Sequence, residues 1–420
     1  MLILIKNATI LSPQSKYHNS KKDILIKNGE IQKIASRITE AKAKLITSQN
    51  LHISLGWIDV GTSSGEPGFE HRESLDSLSQ AAAAGGYTAL AIFPNTQPVI
   101  DNKSSVQYIL NSTKDHIVDY FPIGALSKNC QGEDITEMID MTKNGAIAFS
   151  DGVLSVKSNG LLLRALEYIK STDGVIIHRP EDHSISNGND IHEGQVSTSL
   201  GLKASPSLSE FLTVERDIQL ATYAESKLLV HGISAKESVE KLVSNKSKNI
   251  TCSVNYLNLC LTEEAIQTFD TNCKVSPPLR HQSDKDALIK ALNTGTIDII
   301  ASNHIPLEEE LKKKEFVYAE AGAIGLQTCF SGILSHAQNI KLDKVINCLT
   351  IKARKVLGIS IPEIEIGAVA NLTLFDPEEE WVYDNSTNLS KSKNSPFWNQ
   401  NMKGKVIGIV NGKQSHFNNY

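Results

Sequence analysis

No run of about 18 apolar residues occurs in the chain, so no stretch reads as a membrane-spanning helix. The chain has no surplus of positive charge. Its 42 Lys+Arg against 47 Asp+Glu leave −5 at pH 7, which argues against nucleic acid or a membrane surface as the main partner. No C-x-x-C pair is present either. The six cysteines (Cys130, Cys252, Cys260, Cys273, Cys329 and Cys348) are scattered, several in apolar runs such as "NITCSV". They read as reduced, buried thiols of a cytoplasmic protein, and they exclude a zinc–cysteine cluster. The opening "MLILIKNATI" has no cleavage pattern and carries Lys6 and Asn7, so it reads as a strand and not as a signal peptide.

What is present is ordinary globular material, 40% hydrophobic and 21% charged. At 420 residues it is too long for one compact core of usual size. That length implies two or three domains, or one large α/β barrel with an accessory domain. The first fifty residues are β-rich, with a hairpin signal at Asn28-Gly29. The last sixty are similar, closing on Asn411-Gly412. These ends are expected to pair into a composite β-sandwich of residues 1–52 and 361–420.

Between them, strand-like runs fall at 55–60, 88–93, 119–125, 146–150, 174–178, 227–231, 249–254 and 297–302. Helical patterns lie between most of them. "SLDSLSQAAAAGG" stops on a glycine pair, Ser234 and Glu237 have capping-box spacing, and "SDKDALIKALNTG" starts at Ser283 and stops at Gly295. Eight such units predict a (β/α)8 TIM-type barrel over residues 53–360, with its active site at the C-terminal ends of the strands.

Those ends carry the candidates. Strand one leads into Gly61, Thr62 and Ser63, and strand two into Asn95. Strand four leads into Asp151, strands five and six end on His178 and His231, and strand eight leads into Asn303 and His304. Arg280 lies in the long connection after strand seven. Two imidazoles and a carboxylate suit one divalent ion such as zinc, with a position left for water. Arg280 is a candidate clamp for a substrate carboxylate, and Asn95 a second substrate contact. The run "LEEELKKKEF" reads as a solvated, lid-like segment.

Several stretches then carry a family resemblance: "GWIDV…GEPGFEHRESL", "FPNTQPVID", "NGAIAFSDG", "HEGQVSTSLGLKASPSLSEFLTVERDIQLA", "VSPPLR", "AGAIGLQT" and "SKNSPFWNQNMKGKV". Taken in this order the chain resembles the dihydroorotases of the cyclic amidohydrolase family over nearly its whole length. The resemblance implies a metal-dependent barrel with a small β domain and a place in pyrimidine biosynthesis, interconverting carbamoyl aspartate and dihydroorotate. It also implies a His-x-His-x-Arg pattern after strand one, where this chain has Gly61, Ser63 and Gly65. The metal-binding, proton-shuttling Asp of strand eight is Asn303 here, a substrate-gripping His is Leu307, and an Asn is Ser276. "FSDG" is one Asp shorter than the family pattern, so the bridging role of Asp151 is open by one position.

Glycine offers no ligand, and an amide cannot collect a proton from an attacking water. The resemblance therefore implies a catalytically silent homologue with no catalytic residue. Such a chain would act as a structural or regulatory partner of aspartate carbamoyltransferase within a homo- or hetero-oligomer. The alternative is an active amidohydrolase holding one zinc ion on Asp151, His178 and His231.

Overall fold

The computed structural model describes residues 1–188, 191–245, 247–337 and 339–419. Its centre is a parallel sheet whose eight strands follow one another in chain order: Trp57–Thr62, Tyr87–Ile92, Asp119–Gly124, Ala148–Phe149, Val175–His178, Lys227–Val230, Ile250–Asn255 and Ile299–Ala301. These sit within a few residues of the runs expected from apolar patterning. The strands alternate their side chains between two cores, as a pleated strand must. One row, including Ile58, Val60, Ala89, Ala91, Ile123, Ile177, Leu229 and Ile299, fills the barrel interior. The other row packs outward against the helices through Trp57, Leu90, Ile92, Ile176, Leu228 and Val254.

Closure between the last and first strands is made by side chains. Asp59, fully buried, accepts from the Ser302 N–H (2.7 Å) and the Ser302 hydroxyl (2.6 Å), and from Thr62 Oγ1 (2.5 Å). Burial raises the Asp59 pKa, and the hydrogen bonds from Ser302 and Thr62 oppose that shift.

Both chain ends join one mixed sheet of eight strands with its own isoleucine-rich core, including Ile3, Ile5, Ile24, Ile26 and Ile53. Its strand His52–Leu55 runs parallel to Leu2–Leu11 and antiparallel to Asn371–Tyr383, which joins the two ends of the chain. The Asn28-Gly29 hairpin forms, with φ of 52° and 89°. That left-handed pair is what a type I′ turn demands. All six cysteines are buried and unpaired, and no helix among the described residues is long and apolar enough to cross a membrane.

Helix Leu75–Ala84 is capped by Ser74 and stops at Gly85, and helix Gln282–Thr294 stops at Gly295. Two expectations are corrected. Helix Lys236–Ser244 has Ala235 as its N-cap and no side-chain cap, because the Ser234 hydroxyl is taken by Glu210 and Arg280. The run 307–316 is not a freely solvated lid. Lys312 is buried, its ammonium donating to the carbonyls of Glu320 (2.8 Å) and Gly322 (3.1 Å), while Glu308 pairs with Arg72.

Candidate functional site

The ends of the first and second strands hold no ligand set. Gly61 has φ +87°, and a Cβ there would lie 2.7 Å from Phe93 Cζ and 2.9 Å from His231 Nε2. The Phe93 ring stands edge-on to His231 at 5.2 Å between centroids, so it occupies the space a side chain at 61 would need. The Ser63 N–H donates to the His304 carbonyl (2.9 Å). At Gly65 a Cβ would lie 2.3 Å from the Glu73 carbonyl and 2.4 Å from that of Phe69. Both obstacles are backbone, so no arginine fits without moving the turn.

The candidates on the next strands face protein. Asn95 has both ends of its amide committed: Nδ2 donates to the Asp151 carbonyl and Oδ1 accepts from the Val153 N–H, each at 3.0 Å. It sits where a side chain at Gly152 (φ +65°) would project, since a Cβ there would lie 1.7 Å from Asn95 Oδ1. Asp151 turns away to the neighbouring loop and accepts from the Ser127 N–H (2.8 Å) and hydroxyl (2.5 Å). Burial raises its pKa, against the pull of Ser127.

His178 is bonded on both sides. Nδ1 meets Asp217 Oδ2 at 2.6 Å, and Nε2 accepts from the Val156 N–H at 2.9 Å. The accepting Nε2 assigns the ring proton to Nδ1. Asp217 is gripped in turn by Arg216 at 2.7 and 2.9 Å.

His231 bonds Ser253 Oγ through Nδ1 (2.9 Å), while its buried Nε2 has no partner. Burial, and after it the charge of Arg179, lowers the His231 pKa to about 4, so the ring is neutral near pH 7.

Arg179 is the residue the sequence argument missed; its only signal was an arginine directly after a strand-end histidine. It donates to the Val153 carbonyl (2.6 Å), pairs with Glu181 (3.1 Å) and donates to the Ser276 hydroxyl across the mouth. Arg280 is also buried and internally matched. It bonds Ser234 Oγ (2.8 Å) and His192 Nδ1 (3.2 Å) and pairs with Glu210 (3.4 Å). Asn303, at φ +46°, donates to the Ser276 carbonyl (3.2 Å). His304 accepts from the Gly325 N–H (3.2 Å), with Nε2 3.5 Å from buried Glu73. Leu307 is buried.

The hollow that Arg179, Glu210, Ser276 and Arg280 enclose measures ≈ 20 Å³. That is room for about one water molecule, against about 300–1,000 Å³ for an ordinary small-ligand pocket. Among the described residues, no group of three or more His, Cys, Asp or Glu is placed to hold a metal ion. Asp151, His178 and His231 do not form a ligand set: the first two are saturated by protein partners, and of the three only His231 Nε2 is free to ligate. The residues present do not fit the metal that the fold family implies.

The sequence profile described as "Dihydro-orotase-like" matches residues 52–238, and that of the "Amidohydrolase family" matches residues 209–414. A dihydroorotase of Thermoanaerobacter sp. is 38% identical over 420 residues, 98% of this chain and 97% of its own. Dihydroorotases of Acetivibrio thermocellus and Aquifex aeolicus are 36% and 34% identical, covering 98% and 97% of this chain and the same shares of their own. Among solved structures, an L-hydantoinase of Arthrobacter aurescens superposes with a TM-score of 0.84 at 22% identity, over 99% of this chain and 96% of that one. A D-hydantoinase gives 0.80 at 21%, over 99% and 97%. At that identity the likeness speaks for the fold alone.

Proposed function

The chain belongs to the dihydroorotase-like family of amidohydrolases, and from that premise we propose that it no longer opens or closes the dihydroorotate ring. The closed barrel mouth carries this reading. Ring opening needs an activated water, a group to take its proton and a grip on the substrate acid. The Asn303 amide cannot act as the base, Gly65 cannot grip, and His178 Nε2 faces the Val156 N–H. Loss of a general base alone costs about 10²–10⁴-fold in rate.

A chain that keeps the family fold around such a mouth is retained for its surface. The role we assign it is that of a structural or regulatory partner of aspartate carbamoyltransferase, on the strength of the family resemblance. The test has two arms. Purified protein is assayed for dihydroorotate turnover and metal content, with and without added zinc. It is also mixed with aspartate carbamoyltransferase and sedimented. Turnover no faster than buffer, with co-sedimentation at micromolar concentration, supports the reading. Turnover well above the metal-free control overturns the silence, and separate sedimentation overturns the partnership.

One observation favours a second reading, a single-zinc amidohydrolase: the buried, unpartnered Nε2 of His231. Zinc takes three protein ligands in catalytic sites. Residues 153–156 would have to leave His178, and Asp151 would have to leave Ser127. Zinc at one per chain together with turnover would select this reading.

A further inference from the structure

Beside the closed mouth lies a second, larger cavity of ≈ 340 Å³, lined by residues 307–309, 312–313 and 391–394 together with His71, Thr271 and Asn272. Of the site positions named above it is lined by Leu307 and touches none of His178, His231, Asn95 or Arg280. Its charge is unbalanced. Four lysines line it (Lys312, Lys313, Lys391 and Lys393) against two acids, and both acids are already neutralised. Glu308 is ion-paired with Arg72, Nε to Oε2 at 2.5 Å and Nη2 to Oε1 at 3.1 Å, and Arg72 stands outside the lining. Glu309 pairs with Lys313 at 2.7 Å.

Lys312 donates its protons to the carbonyls of Glu320, Gly322 and Lys274 and so contributes field without a free proton. Lys391 gives one hydrogen bond, to the Glu70 carbonyl at 2.9 Å, and keeps two protons free. The Lys393 ammonium has no hydrogen-bond partner among the described residues, and both of these lysines are exposed. Lys312, Lys391 and Lys393 thus leave the concave wall net positive even with Glu309 near both Lys313 and Lys393, and such a wall concentrates the field on whatever enters. The volume falls within the small-ligand range of about 300–1,000 Å³. Leu307 offers an apolar surface to a carbon skeleton.

We propose that this cavity binds a compact, multiply charged anion, phosphorylated or polycarboxylic, with Lys391 and Lys393 as its direct contacts. This stands independently of the reading of the barrel mouth.

Calorimetry on the full chain in low salt, with inorganic pyrophosphate in one arm and citrate in the other, tests it. The tighter of the two names the class. Binding should weaken by about tenfold with Lys393→Ala and again with Lys391→Ala, the scale of one charge-assisted hydrogen bond each. It should also weaken as salt is added. Both lysines are exposed, so the variants keep the fold. Lys248 and Lys355 line another cationic hollow, at the opposite end of the barrel. The variant Lys248→Ala/Lys355→Ala should bind like the parent. No heat from either anion at millimolar concentration overturns the proposal. So does binding that survives both Lys391→Ala and Lys393→Ala, or that is lost in the Lys248/Lys355 control.

Discussion

If Phe93 fills the space that the family gives to a side chain on the first strand, then adding even a methyl at Gly61 should be costly. Restoring space should remove part of that cost. In Gly61→Ala the new Cβ lies 2.7 Å from Phe93 Cζ and 2.8 Å from His231 Cε1, at φ +87°. The backbone contributes about 1–2 kcal/mol for an L-residue in that region, and overpacking a full core another ~1–3 kcal/mol, so a destabilisation of about 2–5 kcal/mol is expected. Phe93→Ala alone should cost about 3–5 kcal/mol through its void. In the double variant the methyl enters that void, so the two effects should fall short of additivity by about 1–2 kcal/mol while the backbone share remains. Urea unfolding midpoints for the parent, both single variants and the double variant measure this cycle. A Gly61→Ala protein within about 0.5 kcal/mol of the parent, the usual scatter of surface changes, refutes the packing argument. So does strict additivity.

Asp217→Ala should destabilise by about 3–5 kcal/mol, because Asp217 is fully buried and its removal strands Arg216 and the His178 Nδ1 proton; urea unfolding reads this. Arg179→Ala should raise the His231 pKa from about 4, since the Arg179 charge is one of the two causes holding it down; histidine NMR titration follows it, and an unmoved value would dissociate the two residues. The pH dependence has a definite sign. The folded pKa of His231 lies below the ordinary value of 6.5 that the unfolded chain has, so the unfolded state binds the proton first. Its stabilisation is complete above pH 6.5 and is lost as pH falls from 6.5 toward about 4. His231→Asn should flatten the stability profile in that window, and an unchanged slope would contradict the assignment.

The strand order and the joined ends of the chain were legible because period-2 apolar runs, Asn-Gly turns and helix stops act locally. Gly61, Gly65 and Asn303 were legible as letters, since no conformation gives a glycine a ligand or an amide a basic oxygen. The direction of the remaining side chains was not legible. Asp151 points to Ser127 and Asn95 closes on residues 151–153 because Gly152 adopts φ +65°, and no spacing rule encodes that turn. Arg280, read as a candidate clamp for a substrate carboxylate, is paired instead with Glu210, a helix residue 70 positions earlier. Ser234 read as a helix cap serves the same pair. Each of these depends on long-range pairing that a linear reading does not contain.

In a metal-bound barrel mouth, one ion cross-links the ends of several strands. In this chain each such link is made by protein groups. Asp59 and Ser302 join the first and last strands, and Asn95 joins the second strand to the 151–153 turn. The Val156 N–H meets His178, Arg179 reaches Ser276 across the mouth, and Ser253 holds His231. These bonds lie in a water-poor ring where an unmatched polar group would cost about 1–3 kcal/mol, so they reinforce one closed arrangement. A site that had merely lost ligands would leave its remaining histidines and carboxylates short of partners. Here His178, Asp151, Asn95 and Arg280 are all satisfied; among the described strand-end histidines, His231 Nε2 and His304 Nε2 have no hydrogen-bond partner, and the latter lies 3.5 Å from Glu73. Such a ring holds its shape without an ion, as the proposed silence requires.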